Sequence, residues 1–232
     1  MSAWLRSDRR GFVSRSLAAA AAGLSAVTLR ASDAEQAGSG EPAWIKEVPG
    51  KARCFFDCPQ HANGFGLLHI LNYLGAYKPG EAGVASSFYS VGPASSIGMG
   101  FNDAMWAKLG LGELLGLKDA SGKPYTRNVF ASPTKDDGHL LLQRAQLPPI
   151  AMVGDAMMGL SIPNLQKMGT KFLLCANALG LWELELEARG KGKAADLDKE
   201  LRANLLPGVT IVPAMVQAIH QAQAAGLSYN RQ

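Results

Sequence analysis

Cysteine chemistry is the first possibility that this sequence raises, and Cys175 is the best-placed candidate. Cys175 follows the short apolar run 172–174 and precedes segment 176–179, whose composition suits a helix. This pattern predicts a buried parallel strand that ends at Cys175 and leads directly into a helix. The partial positive charge of a helix N-terminus favours thiolate over thiol, which indicates a nucleophile at the carboxyl edge of a sheet. Because cysteine is often simply buried, a packing role is the alternative.

Asn177 lies two residues after this cysteine and is the second candidate. Its amide side chain has both donors and an acceptor, so it is suited to hold an incoming or leaving group by hydrogen bonds. The alternative is a helix-start residue that satisfies free backbone amides.

A second cluster, Cys54, Cys58 and His61, has the spacing C-x3-C-x2-H. A strand over 51–57 would hold Cys54 about 13 Å from Cys58, too far for a disulfide between them. Cys58 and His61 follow this strand in a loop and are predicted to act together.

Two roles are open for this loop pair. Cys58 and His61 would bind a metal ion if a further ligand approaches, and Cys175, His69 and His139 are the candidates. Alternatively, Cys58 is a resolving thiol for Cys175, which requires the two strand ends to be close. One intervening strand would hold them about 10 Å apart. Apart from this possible metal ion, the sequence predicts no cofactor.

The elements that position these residues form an alternating pattern. Strands are predicted at 51–57, 84–91, 169–175, 209–212 and 227–229, and helical patterns separate most of them. The pattern predicts an α/β fold with a mainly parallel sheet of about five strands. His69 is expected on the buried face of the first helix, and the small-residue loop 92–96 is expected to offer backbone amides to a ligand. Segment 111–149 is irregular and is predicted to be an insertion within one domain, 51–232.

The amino terminus resembles a twin-arginine export signal. Paired arginines at 9 and 10 are followed by Phe12 and by an uncharged, alanine-rich run, 17–29, which is too short to span a membrane. We therefore expect a signal peptide over 1–34, a flexible lead-in over 35–50, and a periplasmic protein without stable membrane insertion. The alternative is an amphipathic amino-terminal helix.

The charge balance argues against a nucleic-acid partner. The chain has 23 Lys and Arg against 19 Asp and Glu, but five arginines and two aspartates belong to the predicted signal. Removal of the signal leaves 18 basic and 17 acidic residues. Such a balance does not favour binding to nucleic acids or to anionic membranes.

Four segments carry a resemblance to a known family. The segments FLLCANAL and LPGVTIVPAMVQAIHQAQAAGLSY resemble the strand with a cysteine at its end and the last strand-helix-strand unit of the DsrE family. The segments NDAMWAKLGLGE and YTRNVF are similar to an exported branch of that family with a long insertion. Together the resemblance covers most of residues 51–232.

This resemblance implies a three-layer α/β/α sandwich and a homo-oligomer. It also implies that a sulfur or thiol species is bound or relayed through Cys175, with a sulfur donor or acceptor protein or a small thiol as partner. An alternative of another class is a non-catalytic module that binds a small ligand or a metal, or builds an assembly, on the same fold.

Overall fold

The computed structural model describes residues 41–232. The predicted signal, residues 1–34, and the first part of the predicted lead-in lie outside the described residues. Five strands form the sheet: β1 (Ala52–Asp57), β2 (Ala82–Phe88), β3 (Thr170–Cys175), β4 (Thr210–Val212) and β5 (Ser228–Arg231). All of them lie at or near the positions that the sequence predicts.

Ten α-helices are described, in chain order α1 to α10: Ala43–Lys46, Phe65–Gly75, Asp103–Leu109, Leu111–Leu114, His139–Ala145, Val153–Gly159, Ile162–Lys167, Ala176–Ala188, Ala194–Ala203 and Met215–Ala224. Three short 3-10 helices, Ala62–Gly64, Ile97–Gly100 and Lys135–Gly138, lie between them. None of the helices formed by residues 41–232 has the length and apolar character that crossing a membrane requires.

The sheet has the strand order β4-β3-β2-β1-β5, and every pair of neighbours is parallel. Helices cover both faces, so the fold is a three-layer α/β/α sandwich and the predicted fold class is confirmed. Strand β5 does not follow β4 at the edge but lies beyond β1. The final connection therefore runs back across the whole sheet.

Side chains of successive strand residues point to opposite faces, which we call the α2 face and the α10 face. On the α2 face, Phe172 stacks on Phe88 with ring centroids 4.9 Å apart, and Leu174 lies against Gly100. On the α10 face, the Arg53 guanidinium donates a 2.7 Å hydrogen bond to the Ala225 carbonyl at the end of α10. Right-handed connections from β1, β2 and β3 would use one face, and the returning connection from β4 would use the other.

The end of the predicted lead-in is part of the folded domain. Trp44, Ile45 and Val48 are buried, and Glu47 forms an ion pair with Lys171 of β3 on the α10 face. These three apolar side chains explain why this segment packs rather than remaining a flexible linker.

The irregular segment after β2 is held in place by a buried asparagine. The Asn128 amide donates to the carbonyls of Met99 and Phe101 at 2.9 and 2.7 Å, and its Oδ1 accepts from the Phe130 amide at 3.0 Å. A side chain that satisfies three backbone groups can replace the regular hydrogen bonds that this segment lacks.

Phe172→Ala is expected to lower the free energy of unfolding by about 3–5 kcal/mol, because it removes the stacked ring and leaves a cavity at the centre of the sheet. Leu184→Ala is the control, since Leu184 is 43% exposed on α8 and should cost less than about 1 kcal/mol. Chemical denaturation measures both values. A similar loss for the two variants would contradict this description of the core.

Candidate functional site

Cys175 lies where the sheet connections change face. It is the last residue of β3, from which the chain enters α8 on the α2 face. The adjacent strand β4 leads instead into α10, on the opposite face. Parallel α/β sheets open a crevice at such a switch point, beyond the carboxyl ends of the strands, and ligands commonly bind there.

Two helices begin at the Cys175 sulfur. The Ala178 amide in the first turn of α8 donates to Sγ at 3.4 Å, and the Met215 amide at the start of α10 donates at 3.3 Å. Cys175 is the N-cap of α8, is not in a disulfide, and is 5% exposed. The predicted strand-to-helix position of this thiol is confirmed, and the second helix is a feature that the local sequence pattern does not predict.

Asn177 lies within the first turn of α8, and its amide nitrogen on the main chain donates to the Pro213 carbonyl at 3.3 Å. Its side-chain Oδ1 is buried and has no hydrogen-bond partner in the part of the chain that the structure describes. The alternative expectation of a capping asparagine is wrong, because Cys175 is the cap. A buried acceptor without a partner is costly, which suits a site that a ligand donor completes.

Cys58 does not lie on the face of the sheet that carries Cys175. Its Sγ accepts a 3.6 Å hydrogen bond from Ser86, and a Cβ added at Gly66 of α2 would lie 2.8 Å from it, so Cys58 is on the α2 face. Strand β2 separates it from Cys175, which would hold them about 10 Å apart. Direct pairing of Cys58 with Cys175 as a resolving thiol is therefore excluded in this arrangement.

The environment of Cys58 also argues against a nucleophile. Burial, with a further contribution from the charge of Asp57, raises the pKa of the Cys58 thiol to about 12. The thiol stays protonated at neutral pH, and the predicted catalytic role of Cys58 has no support in the structure.

The proposed metal pair is not assembled into a metal site. His61 Nδ1 accepts from the Asn63 amide at 3.1 Å, and its Nε2 lies 3.0 Å from the Leu115 carbonyl, so backbone groups occupy both ring nitrogens. Burial lowers the pKa of His61. Within residues 41–232, no three His, Cys, Asp or Glu side chains come together in a way that could hold a metal ion.

The other two candidate ligands lie elsewhere. His69 is exposed and bonds Gln232, so its predicted position on the buried helix face is wrong. His139 lies in the insertion, where its ring nitrogens contact the carbonyls of Asp136 and Lys118.

Three backbone amides of loop 92–96 donate hydrogen bonds to other groups of the protein. The Gly92 amide donates to Glu185, the Ser95 amide to the Gly92 carbonyl, and the Ser96 amide to the Pro59 carbonyl. These three amides are therefore not free to bind a ligand, contrary to the expectation from the sequence.

The structure reveals a polar cluster that the sequence analysis missed. Asp57, the last residue of β1, is 3% exposed, and its carboxylate accepts hydrogen bonds from Tyr229 Oη at 2.7 Å and Ser87 Oγ at 3.3 Å. We call Asp57, Ser87, Tyr89 and Tyr229 the Asp57 cluster. An aspartate within the apolar strand run 52–57 was the available signal, because a charged residue at the end of a central strand is rarely buried without a purpose.

Both tyrosines of this cluster have raised pKa values. Burial is the main cause for Tyr89, followed by a hydrogen bond to Asp57. For Tyr229 the hydrogen bond to Asp57 is the main cause, because ionisation would place a phenolate against a carboxylate.

A separate cavity lies in the insertion. It has a volume of about 360 Å³ and a polar lining that includes Tyr125, Arg127, Asp136 and His139. Its wall is built around buried Asp137, which accepts from Tyr125 Oη at 2.7 Å and forms a 2.6 Å ion pair with Arg127. Burial opposes ionisation of Asp137, but these and other hydrogen bonds hold its pKa below the usual value.

Comparison of the chain with family models, curated proteins and solved structures gives no match. The resemblance to the DsrE family therefore stays a prediction from the sequence segments that carry it.

Tyr89→Phe is expected to reduce the loss of stability at alkaline pH. The contribution of the protonated hydroxyl is fully present below about pH 10, the ordinary tyrosine pKa, and is lost as pH rises towards the higher folded-state pKa. Without this hydroxyl, the free energy of unfolding should fall less steeply above about pH 10, as denaturant titrations at several pH values would measure. Tyr77→Phe is the control, since Tyr77 is 40% exposed and does not bond Asp57. An equal change in pH dependence for both variants would contradict a raised pKa of Tyr89 in the folded protein.

Proposed function

We propose that this protein binds and transfers a sulfur or thiol species through Cys175. The observation that supports the proposal is the convergence of two backbone N–H groups, from the starts of α8 and α10, on Cys175 Sγ. Both helices are long enough, at 13 and 10 residues, to have a substantial dipole. Hydrogen-bond donors of this kind stabilise an anionic sulfur relative to a neutral thiol.

The transfer step needs no other co-reactant than a sulfur donor. The Cys175 thiolate attacks the outer sulfur of a donor persulfide, a new S–S bond forms, and the S–S bond of the donor breaks. The donor leaves as a thiol, with the proton that its persulfide carried, and Cys175 becomes a persulfide anion. Delivery to an acceptor thiolate is the reverse of this exchange.

Asn177 has a defined role in this proposal. Its buried, unpartnered Oδ1 would accept a hydrogen bond from the protonated thiol that leaves or enters beside Cys175. The amide would then orient the partner molecule without taking part in bond formation. Export to the periplasm and homo-oligomer assembly, which the sequence resemblances imply, belong to the same proposal.

A non-catalytic ligand-binding module is the second candidate. The observation in its favour is the 360 Å³ polar cavity of the insertion, together with the 5% exposure of Cys175, which also suits a purely structural N-cap. Under this alternative, ligands would bind in the insertion and the thiol would react slowly or not at all.

Incubation with inorganic polysulfide, followed by intact mass measurement, tests the leading proposal. Wild-type protein is expected to gain the mass of one sulfur atom, and Cys175→Ser is expected to lose this gain completely. Cys58→Ser is the matched control and should still take up sulfur, because Cys58 is buried on the other face of the sheet. Absence of the adduct from wild type would overturn the proposal and favour the ligand-binding module.

Met215→Pro should slow sulfur uptake about tenfold or more, since it deletes one hydrogen-bond donor to the charged sulfur. Proline is tolerated at the first helical position, and Ala214 already has the extended backbone, ψ 132°, that a following proline requires. Met215→Ala shortens the same buried side chain but keeps the N–H, so it is the control. Stopped samples analysed by mass give both rates, and equal rates for the two variants would show that the N–H is unimportant.

A further inference from the structure

Asp57 is a buried carboxylate whose hydrogen-bond partners are all neutral. Within residues 41–232, its carboxylate accepts hydrogen bonds from hydroxyl groups, and no Lys, Arg or His nitrogen of these residues lies within ion-pair distance of it. Hydroxyl donors solvate a carboxylate, but they carry no positive charge that could pair with it. Proteins normally pair a buried charge with a counter-charge, because desolvation of a lone ion is costly.

Arg231 is the nearest candidate for a counter-charge: its charge acts to lower the pKa of Tyr89 and of Tyr229, but it forms no ion pair with Asp57. It is the register partner of Asp57 on β5, but its side chain is exposed and forms no ion pair with the carboxylate. A direct ion pair with Asp57 is therefore left for a cation that comes from outside the described residues.

The Asp57 cluster and Cys175 share one face and one edge of the sheet. Asp57, Ser87 and Leu173 lie side by side on β1, β2 and β3, and Cys175 is two residues beyond Leu173 on the same face. Strand spacing and rise place Asp57 and Cys175 on the order of 10 Å apart. Tyr89 follows β2 directly between them, and the nearby Asp57 carboxylate helps to raise its pKa.

The backbone directly after Tyr89 is strained, and a hydrogen bond fixes its conformation. Ser90 has φ 76°, a left-handed conformation that non-glycine residues rarely adopt, and the Ser95 hydroxyl fixes its carbonyl at 2.9 Å. Tyr229, which covers the carboxylate from the edge strand, is 42% exposed, so its ring borders solvent. A ligand would approach the carboxylate past this exposed ring.

We infer that the Asp57 cluster binds a protonated amine of the molecule that reacts with Cys175, and that Asp57 is its counter-charge. The ligand class is a low-molecular-weight aminothiol, or the disulfide or persulfide of one. This inference rests on the proposed function, because it assumes that Cys175 reacts with the ligand. Asp57 is here a binding residue, and Tyr89 and Tyr229 form the wall around the ammonium group, where their rings add cation–π attraction.

Thiol exchange with matched disulfides tests the inference. The Cys175 thiolate attacks one sulfur of a symmetric disulfide, forms a mixed disulfide, and releases the other half as a thiolate that takes a proton from water. We would measure this rate by intact mass with cystamine, which is cationic, hydroxyethyl disulfide, which is neutral, and dithiodipropionate, which is anionic. Each rate is divided by the rate of the same reagent with a free small thiol, which removes intrinsic differences in reactivity.

Wild type is expected to prefer cystamine over hydroxyethyl disulfide by about tenfold or more, the effect of one hydrogen bond between charged groups. Asp57→Asn should abolish this preference, which is measured as the ratio of the two normalised rates within each variant. Asp155→Asn, which removes the same charge from an exposed position, should keep the preference. If Asp57→Asn does not fold, the wild-type rates remain the test. The normalised rate should be highest with the cationic disulfide, lower with the neutral one and lowest with the anionic one, and equal normalised rates would overturn the inference.

Failure of the inference and failure of the proposed function give different results. Equal rates for all three reagents, with Cys175 labelled, would overturn the amine site and leave sulfur transfer intact. If no reagent labels Cys175, the proposed function fails, and calorimetry of cystamine with Cys175→Ser decides the amine site alone. Binding that Asp57→Asn weakens about tenfold in that background would support the site, and equal binding would overturn it.

Discussion

The surroundings of Cys175 and of Asp57 both depend on one constraint, the return of the chain across the sheet after β4. Three connections advance in one direction along the sheet, and the last passes back over β3, β2 and β1 before β5 pairs with β1. Since parallel connections keep one hand, this reversal sends α10 to the opposite face. The N-terminus of α10 thereby reaches Cys175, and β5 brings Tyr229 to Asp57.

The alternation of side chains along the strands explains why the three cysteines differ. Cys54 and Cys58 lie on the α2 face, where burial raises the pKa of each thiol. Cys175 lies on the other face at the carboxyl edge, where two helix N-termini donate to it. One residue of displacement along a strand exchanges these environments, so a cysteine's position in the strand matters more than its distance from another cysteine in the sequence.

The insertion shows how an irregular segment becomes part of a rigid domain. Asn128 and Asp137 are buried polar residues around which the chain folds: Asn128 donates to two backbone carbonyls and accepts from the Phe130 amide, and Asp137 accepts from Arg127 and from the Thr134 amide. Buried polar networks of this kind specify one conformation only when every member has a partner. The polar cavity beside Asp137 is lined in part by Arg127, Thr134 and Asp137 itself. It is the feature that supports the alternative proposal, a ligand-binding role.

Local pattern alone determined the α/β class, the five strand positions, and the direct passage from strand to helix at Cys175. Apolar runs of strand length and helical spacing are local properties, and Gly110 and Gly226 end their helices where expected. Only the tertiary structure decided that Cys58 and Cys175 lie on opposite faces, that Trp44 and Ile45 join the core, and that Asp57 meets Tyr229. These outcomes depend on strand order and connection handedness, which bring residues 57 and 229 together although no local property of either segment refers to the other.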